Sequence, residues 1–130
     1  MIGSTRSVGV FAYGAPADLR MGYEGLSGLV ISQLGHDVLS GDCYLFTNRT
    51  RTRAKVIFWD GTGLCIFQKR LEHGRFACLW KKGQQSSAGD CVELTMSELA
   101  LFIEGSEMVG RIALSPKKVV LRSLEEMRAM

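Results

Sequence analysis

At 130 residues, 46% hydrophobic and 22% charged, the chain has room for one ordinary core, and its composition argues against long disorder, collagen and a disulfide-stapled mini-protein. It has no run of 18 apolar residues, and Met1 to Ser7 lacks the apolar core of a secretory signal, which predicts a cytoplasmic protein without a membrane span. Sixteen Lys and Arg against thirteen Asp and Glu give +3, too small an excess to define a partner by itself.

Val8 to Tyr13 predicts a short strand with Val8, Val10 and Ala12 on one face. Gly14-Ala15-Pro16 breaks it. Asp18 is the expected cap of a helix whose stripe runs through Leu19, Tyr23, Leu26, Val30 and Leu34 and stops at Gly35. Gly22, Gly25 and Gly28 fall inside this helix, at a cost of about 1 kcal/mol each relative to Ala. A row of small residues predicts that the helix approaches a sheet closely.

Three strands follow: Cys43 to Thr47, Ala54 to Trp59 and Leu64 to Lys69. Asp60-Gly61 signals a hairpin, with Gly63 leaving a loop of two or four residues open. An antiparallel meander is the simplest topology. Residues 83–89 read as a polar loop and Cys91 to Leu94 as a fourth short strand of this stretch. Thr95-Met96-Ser97-Glu98 is a capping box, with Leu94 and Leu99 at its staple positions, opening a helix that ends at Gly105. The expected fold is α+β: a mostly antiparallel sheet packed by two main helices, in one domain over residues 8–107. Residues 108–130 read as an appended extension with a final helix from Ser123.

Charge is not spread evenly along this chain. Between Cys43 and Lys82 lie Arg49, Arg51, Arg53, Lys55, Lys69, Arg70, Arg75, Lys81 and Lys82, against only Asp60 and Glu72. That segment carries +7 and leaves −4 for the rest. A one-sided basic patch attracts polyanions through counterion release. In a continuous strand Arg49, Arg51, Arg53 and Lys55 would share one face, opposite Ala54, Val56 and Phe58, with Trp59 on the basic parity. A cationic strip ending in an indole suits a nucleic-acid backbone with a base to stack. The competing reading is a solvated hairpin whose charges deter aggregation. A turn within Asn48 to Arg53 would break the parity and keep the charges clustered. Lys69, Arg70 and Arg75 would extend the same field, or merely solvate a strand end, with Arg70 and Glu72 as a surface pair.

Other chemistry is not signalled. Cys43, Cys65, Cys78 and Cys91 lack Cys-x-x-Cys spacing, and only His36 and His73 accompany them, so neither a zinc site nor any other cofactor is expected. Cys43 and Cys65 read as reduced core residues. Asp60 is explained by its turn and Asp18 by its cap, which leaves no clustered carboxylates for a two-metal nuclease. Neither helix has the composition of a recognition helix, so sequence readout would fall to loops, a β-ribbon or a partner.

Four blocks carry a resemblance. They are residues 18–26 (Asp-Leu-Arg-Met-Gly-Tyr-Glu-Gly-Leu), residues 55–64 around Trp59-Asp60-Gly61, residues 69–76 (Lys-Arg-Leu-Glu-His-Gly-Arg-Phe), and Leu94-Thr95 through Glu104-Gly105. In this order and spacing the chain resembles the small accessory protein, often labelled TnpB, encoded by the second open reading frame of bacterial insertion sequence family sixty-six. The resemblance covers roughly residues 8–107. Thr47, Thr50 and Thr52 depart from it, in an arm usually richer in Arg, and the tail beyond Met108 falls outside it. The resemblance implies a role in transposition beside a separate, larger transposase; it supplies a process and not a reaction. The reading is therefore a non-catalytic accessory protein that binds DNA, with element ends the natural site, and helps assemble the transposase complex. Arg49, Arg51, Arg53, Lys55, Lys69, Arg70 and Arg75 are the expected phosphate contacts and Trp59 the stacker. The alternatives are an adaptor whose basic centre meets an acidic protein surface and, behind it, a small metal-dependent nuclease.

Overall fold

The computed structural model describes residues 8–80 and 90–105. Lys81, Lys82, the loop expected over 83–89 and the extension expected over 108–130, with its helix from Ser123, lie outside the described residues.

Among the described residues five strands form one sheet in the order β4-β3-β2-β1-β5: β1 (Val10–Tyr13), β2 (Cys43–Thr47), β3 (Arg53–Trp59), β4 (Leu64–Arg70) and β5 (Cys91–Leu94). The meander from β2 to β4 is antiparallel, as its short connections require. The first strand departs from that scheme. It pairs parallel with β2, Val10 opposite Cys43, and antiparallel with β5, Val10 opposite Leu94. The sheet is therefore mixed. The cause is the helix between β1 and β2: a chain that crosses over a sheet through a helix returns in the direction it left.

Helices cover both faces. Tyr13, Tyr44, Phe46 and Ile57 pack with Leu26, Val30 and Leu34 of the first helical segment on one side. Val10, Ala12, Leu45, Ala54 and Val56 pack on the other with Leu99, Leu101 and Phe102 of α2 (Met96–Glu104), and with Phe76, Ala77 and Leu79 from an irregular stretch. The Phe76 and Phe102 rings stack with centroids 5.0 Å apart. Since β2 lies between two cores, all five of its residues are buried, and Cys43-Tyr44-Leu45-Phe46-Thr47 shows no polar alternation.

The first helix begins later than the sequence suggests. Asp18 does not cap it. Its carboxylate accepts the Arg20 amide at 3.0 Å and pairs with the Arg20 guanidinium at 2.8 Å. Meanwhile Ala17 donates to the Thr47 carbonyl, which ties residues before the helix to the end of β2. The chain is thus held along the sheet, and α1 (Tyr23–Leu29) starts only after Gly22. It continues through a wider π-type turn, Val30–Leu34, and ends at Gly35 with φ 67°, where glycine is favoured. Tyr23, expected on the buried stripe, is exposed. The glycine row does not seat the helix on the sheet: a Cβ on Gly25 would strike the side chain of Met21, and one on Gly28 would meet open space.

The capping box forms as written. Glu98 donates its amide to Thr95 Oγ1 at 3.1 Å, and Thr95 donates its amide to Glu98 Oε1 at 2.8 Å. The hairpin loop is Asp60 to Gly63, four residues, with Asp60 Oδ1 accepting from the amides of Thr62 and Gly63. Cys43 is a core residue, but Cys65 is only half-buried, its Sγ 3.5 Å from Asp60 Oδ2 at the hairpin end. Among the described residues no helix is long and apolar enough to cross a membrane.

Candidate nucleic-acid interface

The arm between β2 and β3 is shaped by Asn48. Its Oδ1 accepts the amides of Thr52 at 3.0 Å and Arg53 at 3.1 Å, and its backbone carbonyl accepts the amide of Arg51. A side chain that bonds its own backbone a few residues on makes a compact turn. Residues 49–52 are therefore not strand. Arg49 and Thr50 stand exposed at the tip, and Arg51 takes φ 60°, rare for a residue with a Cβ. The alternating register that would align Arg49 and Arg51 with Arg53 is broken. From Arg53 onward it holds: Ala54 and Val56 enter the α2-side core, and Arg53, Lys55, Ile57 and Trp59 take the opposite face.

The basic side chains divide by what they touch. Arg51 Nη1 donates to the Phe76 carbonyl at 3.2 Å. Lys55 Nζ donates to the Met21 carbonyl at 3.0 Å. Lys69 Nζ donates to the Ile103 carbonyl at 2.9 Å, at the C-terminal end of α2 where a cation is favoured. These three tether separate segments to the sheet. Lys69 pairs with Ala54, so it faces α2 and not the side of Arg53; the expected joint field of Lys69 and Arg70 is split between the two faces. Arg49, Arg53 and Arg75 are exposed and make no side-chain hydrogen bond among the described residues. Arg70 meets Glu72 at 3.3 Å, both well exposed, a pair of small energetic weight.

Backbone bonds bring together the segments that carry these arginines. Leu71 donates to the Thr52 carbonyl at 2.8 Å and Phe76 to the Arg51 carbonyl at 2.7 Å. The β2–β3 arm, the end of β4 and the stretch to Arg75 thereby meet at one end of the sheet. There Arg53 lies directly opposite Arg70, and Lys55 opposite Gln68. Together with Leu19, Ala54 and Lys69 they line a depression of about 340 Å³. Trp59 is half-buried at the other end of β3, opposite Leu64 and beyond the buried Ile57. Six residues of strand put it about 20 Å from Arg53. The structure thus brings together Arg49, Arg53, Arg70 and Arg75, and sets Trp59 apart.

Two carboxylates, Asp18 and Asp60, are held in local structure. Hydrogen bonds from the Arg20 side chain and amide keep Asp18 down to about 2. Amides of Thr62 and Gly63, then the Thr62 hydroxyl, keep Asp60 down to about 2. No group of three His, Cys, Asp or Glu side chains among the described residues is placed to hold a metal ion.

The family model of IS66 Orf2 like proteins matches residues 8–111. The chain belongs to this family. Membership agrees with the resemblance carried by its four sequence blocks and ties the chain to the insertion sequences of that family. The chain is similar to two proteins of Sinorhizobium fredii. It is 38% identical over 76 residues to uncharacterized protein y4jC, covering 58% of this chain and 65% of that protein, just under two thirds of its length. It is 31% identical over 105 residues to uncharacterized protein y4hO, covering 81% of this chain and 86% of that protein. No solved structure matches.

Within this IS66 Orf2-like chain, three residues of the site escape a reading by charge. Asn48 shapes the arm, while Leu19 and Gln68 line the depression. Asn48 carried a usable signal, since Asn before an Arg/Thr run is a turn former. Gln68 had none without the hairpin register.

Proposed function

We propose that this protein supports transposition without catalysing it, by holding the phosphate backbone of DNA at the arginine-rich end of its sheet. Arg49, Arg53, Arg70 and Arg75 are the phosphate contacts, and Lys55 adds charge to their floor. Arg51 and Lys69 act at one remove, by fixing the arm and the end of α2. Trp59 is too distant to stack a base held between Arg53 and Arg70, so it serves DNA only on a path running the length of β3. The observation that supports this reading is the convergence, at one end of the sheet, of two loops and two strand ends that carry four exposed arginines, with Glu72 the only carboxylate paired to any of them among the described residues. Guanidinium is suited to phosphate, and such contacts position DNA without reading its sequence.

The test is a salt titration of purified protein against a labelled duplex bearing a single-stranded overhang. Affinity falls steeply with salt, and each Arg→Gln change in the set lowers the slope by about 1. Absence of binding at low salt ends the DNA reading. Adding the element's transposase separates the adaptor alternative, which requires that DNA be retained only in its presence.

A further inference from the structure

A cross-strand pair of arginines is an unfavourable choice for a sheet. Like charges directly opposite each other repel, and a pairing of opposite sign there would stabilise the hairpin. Arg53 and Arg70 nonetheless face each other, with no carboxylate from either strand between them. Glu72 draws only on Arg70, from beyond the strand end. The next pair inward is Lys55 and Gln68, and Lys55 turns its ammonium to the Met21 carbonyl. Its stem is therefore fixed as a wall. Leu19, a buried residue between the exposed Asp18 and Arg20 in sequence, adds an apolar contact.

The resulting depression, about 340 Å³, lies at the small end of ligand-sized cavities, which run from about 300 to 1,000 Å³. Its lining offers two guanidiniums at the strand ends, the exposed Gln68 amide, with both donors and an acceptor, at the next pair on that face, and an aliphatic side chain beside them. A rigid duplex presents phosphates on a convex surface and cannot lower one base into a hollow of this size. A single-stranded nucleotide can, because its base is free to splay out of the stack.

We propose that the depression between Arg53, Arg70, Lys55 and Gln68 receives one nucleotide of single-stranded DNA, its phosphate held by the two arginines and its base edge met by Gln68. The inference rests on the DNA reading above and narrows it to strand ends, gaps or overhangs. Lys55 and Leu19 shape the hollow. Gln68, able to donate and accept, is the group with scope to discriminate among bases.

The deciding measurement is fluorescence anisotropy with three labelled probes of one sequence: single strand, blunt duplex, and duplex with overhang. The single strand and the overhang bind about tenfold or more tightly than the blunt duplex. Arg53→Gln with Arg70→Gln removes this preference. Arg49→Gln with Arg75→Gln, outside the depression, weakens all three probes alike and leaves the preference in place. Thermal melts of both double variants confirm the fold. Equal binding of blunt and overhang probes overturns the nucleotide site while leaving the DNA reading intact. Failure of all three at low salt removes both. Preference that survives in the Arg53/Arg70 variant places single-strand recognition elsewhere and likewise overturns the site.

Discussion

Arg51 and Phe76 hold each other at both ends. The Phe76 amide donates to the Arg51 carbonyl at 2.7 Å, and Arg51 Nη1 donates back to the Phe76 carbonyl at 3.2 Å. Phe76 is fully buried against Phe102, so this exchange fastens the basic arm to the α2-side core. Arg51→Ala should cost about 1–2 kcal/mol, because a carbonyl loses a charged donor. Arg51→Gly should cost less than Arg51→Ala, since glycine adopts φ 60° without the penalty of a Cβ, about 1 kcal/mol. Urea unfolding of the two variants checks the order, and the reverse order would show that the arm is not held in this conformation.

Lys69 and Arg53 should behave oppositely, though both are basic residues of one hairpin. Lys69→Met removes the bond to Ile103 at the end of α2 and should lower stability by about 1 kcal/mol with little effect on the salt slope for DNA. Arg53→Gln should leave stability within about 0.5 kcal/mol and lower that slope by about 1. Paired melts and titrations separate them. Equal slopes for the two variants would contradict the division of the cations by face.

The stack on the α2 side supplies a third prediction. Phe76→Ala should destabilise by about 3–5 kcal/mol, through lost burial and the cavity left against Phe102. Thr95→Ala, at the mouth of the same helix, should cost about 1 kcal/mol by freeing the Glu98 amide. Chemical denaturation measures both, and a Phe76→Ala loss no larger than that of Thr95→Ala would argue against the irregular stretch being part of the core.

Asp60 gives a prediction in pH. Its folded pKa, about 2, lies below the ordinary 3.8, so the folded state favours the carboxylate. Its contribution is present above the unfolded value and disappears as pH falls through the folded one, between about pH 4 and 2. Asp60→Asn keeps an oxygen to accept from Thr62 and Gly63 but cannot ionise. Its stability should vary less with acid over that window than the parent's, as followed by thermal melts at stepped pH. Parallel curves would show that the turn does not draw on the charge.

Much of the fold was legible because its signals are local. Val10 to Tyr13, Cys43 to Thr47 and Cys91 to Leu94 declare themselves by apolar β-formers, and Thr95 to Glu98 by a reciprocal cap whose partners are three residues apart. What misled was a competition between tethers. Asp18 is a good cap in isolation, but it has Arg20 within reach, and its neighbour Ala17 is bonded to Thr47 across the sheet. The parallel pairing of β1 was not written locally either, since its partner is set by where the crossover lands.

The candidate site depended on one undecided count. With a two-residue loop at Asp60-Gly61, Arg53 would have faced Gln68. The four-residue loop slides the register and sets Arg53 against Arg70. Composition and spacing located the positive charge, yet which cations meet was decided by the turn at the far end of the hairpin. Asn48 signalled a turn, but not which amides it would hold: its bonds to Thr52 and Arg53 exist only once the arm has closed.

The position of β1 has a consequence for how the domain is made. It is the earliest strand among the described residues, yet it sits inside the sheet, with β2 on one side and β5 on the other. The hairpins of β2, β3 and β4 close over short distances, whereas the pairing of Val10 with Leu94 must wait until β5 has been synthesised. Until then the nascent sheet presents an open central strand beside a partly formed core. A chain ending before Cys91 would be left with that exposed template, and would be prone to join copies of itself instead of folding alone.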